Sequence, residues 1–124
     1  MKTQFRRIID HVYEVEALVI WSCAKDHVQE IAEHVSKIKD EIDLMPGDGG
    51  GTFKCTAKDN TSVYVIWMDK RTVSNVVHEV THLVSYVFKE RGICYTATND
   101  EQIAYYQAWW CHEIMKPIQR KKKG

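Results

Sequence analysis

The chain has no net charge to offer a partner, since 17 basic residues balance 17 acidic ones in a sequence of 124. Such a balance provides no global field for nucleic acid, a membrane surface or a polyanionic substrate, so a partner has to be met at a local site. A Cys-x-x-Cys pair is also missing. Cys23, Cys55, Cys94 and Cys111 are scattered along the chain. With 44% apolar residues a core can form without disulfide staples, which predicts free thiols and a reducing, cytoplasmic setting. The opening residues lack an apolar segment followed by a small-residue cleavage site, which gives the same expectation. No apolar stretch approaches the length of a membrane span, and internal repeats are absent, so neither a membrane nor a repeat architecture is expected. The length suits one domain over residues 1–124, with 117–124 as a solvated basic tail.

What is present reads as an α+β chain. Residues 12–21, VYEVEALVIW, alternate and then become continuously apolar, which predicts a strand entering the core. From Ala24 to about Ile42, Val28, Ile31, Ala32, Val35, Ile38 and Ile42 recur at helical spacing with charges between them, which predicts an amphipathic helix. Pro46 and the run Gly47, Asp48, Gly49, Gly50, Gly51 lack the lysine and hydroxyl of a phosphate loop and are expected to be a linker. The segments TFKCTA and SVYVIWM, joined by KDNT, predict a hairpin. A second helix is expected from Thr72 to about Arg91, closed by Gly92, and a third from Thr98 or Asn99 to Pro117.

The second helix carries His78-Glu79-Val80-Thr81-His82, the HExxH pattern. Histidines at i and i+4 lie on one helix face, close enough for both imidazoles to bind one zinc ion. Glu79 is offset around the axis and can address the water that the metal activates instead of the metal. Stepping about 100° per residue puts Val73, Val76, Val77, Val80, Leu83, Val84 and Val87 in one apolar stripe, with His78 and His82 on the opposite face. Histidines that project away from the core need solvent or a ligand there.

A catalytic zinc site takes three protein ligands and leaves one position open. Glu101, at the start of the third helix, is the candidate for the third ligand. Two alternatives stand beside it. Thr98-Asn99-Asp100-Glu101 matches a capping box in which Glu101 folds back to the Thr98 amide, whereas an Asn99 cap with Gln102 as its partner leaves Glu101 free. Asp100 is the other carboxylate, pointing about 100° away. Along the third helix Glu101, Tyr105, Ala108 and His112 share one stripe, and Ile103, Tyr106, Trp110 and Ile114 share the other.

An HExxH helix followed by a glutamate-bearing helix resembles the gluzincins, the thermolysin-like branch of the zinc metallopeptidases. The resemblance covers roughly residues 62–116, and Asp100-Glu101-Gln102-Ile103-Ala104 is similar to the family's Asn-Glu segment, which favours Glu101 over Asp100. The whole layout more loosely resembles the minimal gluzincin-like proteins of tailed bacteriophages. The resemblance implies a small zincin-like fold, with a sheet of about three strands packed on the amphipathic helix, the HExxH helix and the glutamate helix. It also implies one Zn2+ per chain held by His78, His82 and Glu101, with Glu79 as general base and a peptide or protein as substrate. The strand near Val63 to Met68 is then expected to line the cleft and take an extended peptide by strand addition.

Thermolysin-like enzymes have a large C-terminal domain that supplies a transition-state donor, and such a donor domain is not expected here. Nor does an aspartate follow Glu101 by four residues; Tyr105 stands there. Tyr105 is the candidate donor, with packing as the other role open to it. His112 lies about three turns from Glu101, outside the same coordination sphere. Trp109 and Trp110 are expected as core or interface anchors, and His11, His27 and His34 have no assigned role. Two other functions compete: a zinc-stabilised protein-binding module without turnover, and a repressor-cleaving HExxH peptidase, for which no DNA-binding segment is visible.

Overall fold

A computed structural model describes residues 4–22, 24–44 and 49–118. Cys23, the start of the glycine-rich run and the basic tail beyond Ile118 fall outside the described residues. Among the described residues the architecture is α+β, with a mixed sheet of four strands in the order β1-β2-β4-β3. The strands are β1 Gln4–Ile9, β2 Glu16–Trp21, β3 Gly50–Thr56 and β4 Ser62–Met68; the helices are α1 Val28–Ser36, α2 Val73–Glu90 and α3 Asp100–Met115. β1 runs antiparallel to β2, β2 parallel to β4, and β3 antiparallel to β4.

The two central strands are apolar on both faces because both faces are covered. Leu18 and Ile20 of β2, with Val63, Val65 and Trp67 of β4, pack against Val28 and Ala32 of α1. Ala17, Val19 and Trp21, with Tyr64, Ile66 and Met68, pack against α2 and α3 through Val76, Val80, Leu83, Val87, Ile103, Tyr106 and Trp110. The sheet therefore lies between one helix and an antiparallel helix pair.

Three sequence expectations need correction. The sheet has four strands where about three were expected, because QFRRII forms β1. Its two arginines mask the strand pattern, yet Arg6 belongs there: it donates to the carbonyls of Glu113 at 2.7 Å and Lys116 at 2.8 Å. Arg71 donates to Ile114 and Lys116 as well. Both guanidiniums lie over the Trp21 ring, so the orphan carbonyls ending α3 are satisfied by cations that complement the helix dipole.

The first helix stops at Ser36, not near Ile42, since Lys37 adopts φ +54°. Beyond it Ile38 bridges to Ala57, and Lys39 donates to the Thr56 carbonyl; tertiary pairing overrides helical spacing here. Lastly, the glycine run is not wholly linker, because Gly50 and Gly51 belong to β3.

The two later helices follow the sequence closely. Thr72 caps α2, accepting from the Asn75 amide at 3.2 Å. Gly92 at φ +65° ends it, with the Ile93 amide on the Phe88 carbonyl and the Gly92 amide on that of Lys89, a Schellman closure. Five residues of the expected stripe, Val76, Val80, Leu83, Val84 and Val87, are buried, while Val73 and Val77 are exposed. In α3, Ile103, Tyr106, Trp110 and Ile114 are buried as the spacing predicts.

Two contacts fix how α3 sits. Gln107 Nε2 donates to Thr81 Oγ1 of α2 at 2.9 Å. On the opposite flank, the Tyr106 hydroxyl donates to Asp10 Oδ2 at 2.8 Å. Asp10, in the turn after β1, also accepts the amides of Val12, Tyr13 and Val15.

Candidate metal centre

Within α2, His78 and His82 project from the face turned away from the sheet and are exposed. Their ring centroids are 5.0 Å apart, the outcome of one helical turn between them. Glu79, about 100° further round, turns instead toward the sheet and is only 6% exposed. One ligand atom from each of His78, Glu79 and His82 lies within 4.8 Å of the others. Two imidazoles and a carboxylate are a donor set that suits zinc.

Glu79 is buried because α2 packs against β3. Thr52 Oγ1 donates to Glu79 Oε1 at 2.9 Å and lies 3.2 Å from the Glu79 carbonyl oxygen. Gly50 abuts the same carboxylate. A buried carboxylate without such a donor would be costly.

Tyr86 is exposed one turn beyond His82 on α2. Lys54 of β3 forms an ion pair with Glu90 of α2, and the Tyr64 hydroxyl donates to Glu90 at 3.1 Å. The Lys54 contact, with the Tyr64 hydrogen bond, holds the Glu90 carboxyl below its usual range. Burial, then the Glu90 charge, pushes the Tyr64 phenol up to about 12. These groups join α2 to β3 beyond the histidines.

Glu101 is the second residue of α3, exposed, and stands outside the group formed by His78, Glu79 and His82. The contact between Thr81 and Gln107 sets the level of the antiparallel helices. His82 is thus level with about residue 106, and Glu101 is displaced by roughly 7.5 Å along the axis. The capping box is not formed: Thr98 shares its hydroxyl with Thr96, while Asn99 holds the Thr96 amide and the Cys94 carbonyl. Asp100 accepts from the Tyr95 hydroxyl.

Tyr105 is 73% exposed and lines a pocket with His11, Val12 and Trp109 beside the β1–β2 turn, on the flank of α3 away from Thr81. The structure does not bring it to the histidines. His112 is exposed near the end of α3, and Trp110 is a core residue.

The expectation that the strand near Val63 to Met68 accepts a peptide is overturned. β4 is paired on both sides, to β2 and β3, so its backbone groups are already used. The edge strand beside Glu79 is β3. Ala57 pairs with Thr61, and ladder alternation then turns the amides and carbonyls of Gly50, Thr52 and Lys54 outward. Sequence reasoning missed Gly50 and Thr52; glycine at the head of an alternating strand was the available signal. Comparison of the chain with protein-family models, with curated proteins and with solved structures finds no match.

Proposed function

We propose that this chain is a zinc-dependent metallopeptidase in which His78 and His82 bind the metal and Glu79 is the general base. The observation that carries the reading is the division of labour on α2: two exposed imidazoles one turn apart, and between them a buried carboxylate within 4.8 Å of both. A purely structural site has no use for an adjacent base. Glu101 is proposed as third ligand on its resemblance to the gluzincin glutamate and on its freedom from the capping box.

Bound zinc supplies a Lewis acid that makes water acidic near neutral pH and polarises a scissile carbonyl. The protein's own groups do the rest. Glu79 accepts a proton from the attacking water and returns it to the leaving amine. The outward amides and carbonyls of Gly50, Thr52 and Lys54 offer an extended peptide three residues of strand pairing beside that carboxylate. Tyr86, whose Cα–Cβ bond leans back toward His82 as in any α-helix, flanks the same side of the site.

The position of Glu101 outside the donor group favours one alternative, a zinc-holding module whose metal site is finished by a bound partner. Zinc content by elemental analysis and cleavage of a randomised, internally quenched peptide mixture separate the two. One zinc per chain that survives Glu79→Gln is expected, with affinity about 100-fold or more weaker after His78→Ala, His82→Ala or Glu101→Ala, and cleavage abolished by Glu79→Gln. Full zinc with no cleavage selects the module, and a wild type that takes up no zinc sinks both.

A further inference from the structure

β3 begins with two adjacent glycines, a choice that weakens a strand interior and marks the close approach of another group. At Gly51 an added Cβ would meet outer ring atoms of Phe53 at 2.7 Å, and that side chain can turn aside. Gly50 is different. A Cβ there would lie 2.8 Å from Glu79 Oε2 and 2.9 Å from the Trp67 carbonyl oxygen. The carbonyl is main chain in the paired strand β4, so a side chain there would displace the strand as well as the carboxylate.

Two residues on, and therefore on the same face of the strand, buried Thr52 donates to Glu79 Oε1 at 2.9 Å. The two positions address the two oxygens of one carboxylate, one through a hydroxyl and the other through an absent side chain. Threonine is β-branched and stiff at χ1, so its hydroxyl is a rigid donor on a rigid element. Glutamate has three free torsions, and Glu79 directly follows exposed His78 and lies three residues before exposed His82. Without a restraint its carboxylate can swing to a metal held there and become a ligand, which would end its service as a base.

We propose that Thr52 and Gly50 are positioning residues for Glu79, holding its carboxylate against β3, aimed for proton transfer and kept off the metal. The proposal rests on the reading of Glu79 as the base. It assigns a purpose to the glycine at position 50 and to a threonine whose hydroxyl bonds Glu79.

The test begins with the metal-free protein. Urea unfolding of Thr52→Val, Glu79→Leu and the double variant forms a cycle, and the midpoint shift caused by Thr52→Val should shrink by half or more when Glu79 is already leucine. Additive shifts overturn the proposal whatever the activity. In the cobalt-loaded protein, Thr52→Val and Gly50→Ala should retain the metal with altered visible bands, while Thr52→Ser keeps the wild-type spectrum; identical spectra in all four overturn it. With the zinc protein and the quenched peptide mixture, Thr52→Val and Gly50→Ala should lose at least 10-fold in kcat with KM within 2-fold, and Thr52→Ser should recover to within 3-fold. Unchanged kcat in Thr52→Val beside an inactive Glu79→Gln overturns the positioning role alone. Wild-type turnover in Glu79→Gln overturns the base reading and the positioning role with it, even where the cycle is coupled.

Discussion

Asp10→Ala removes the acceptor for four donors at once. The amides of Val12 at 2.9 Å and Tyr13 at 2.6 Å lie in the partly exposed turn after β1, and water can replace the carboxylate there. The amide of Val15 at 3.1 Å and the hydroxyl of Tyr106 at 2.8 Å are buried, and each is left unsatisfied at about 1–3 kcal/mol. Relief from burying the carboxylate, itself 2% exposed, offsets part of this, so the net loss is about 3 kcal/mol. At roughly 4 °C per kcal/mol for a domain of this size, Tm falls by about 12 °C. Urea unfolding of Asp10→Ala, Tyr106→Phe and the double variant measures it, and the two changes should be less than additive because they share one bond. A loss under about 1 kcal/mol in Asp10→Ala, or strict additivity, would refute the claim that this carboxylate ties α3 to the β1–β2 turn.

Four further outcomes are expected. Leu83→Ala, at a fully buried position between α2 and the sheet, should cost about 2–5 kcal/mol in chemical unfolding. Gly92→Ala should cost only about 1–2 kcal/mol, the price of a left-handed residue, because an added Cβ meets nothing within 4 Å; a larger loss in the same assay would mean an unrecognised contact. Burial, then the Asp40 charge, pushes the Cys55 thiol up to about 11. The unfolded chain ionises this thiol first, so stability falls as pH rises from about 9 to about 11. Cys55→Ala should flatten that slope in pH-dependent unfolding. In a Cys23→Ser background, exposed Cys94 should react with a thiol reagent well before Cys55 does.

Much of the helical half was legible in the sequence, because helical periodicity is a local property. The spacing of Val76, Val80, Leu83, Val84 and Val87 determined which face of α2 is buried and which carries His78 and His82. Gly92 marked the end of that helix, and Ile103, Tyr106, Trp110 and Ile114 marked the inner face of α3. The HExxH spacing by itself brought both histidines within reach of one metal. Strand order is not local. Only tertiary pairing showed that QFRRII is a strand whose Arg6 caps a helix 107 residues away, that residues after Ser36 leave the helix to pair with β3, and that β3 and not β4 is the edge beside the candidate site. The level of α3 against α2, and with it the place of Glu101, likewise came from contacts between distant segments. Glu79 shows both halves of the lesson: its offset from the histidines follows from about 100° of helical turn per residue, but its burial against Thr52 and Gly50 depends on which strand the sheet places beneath it.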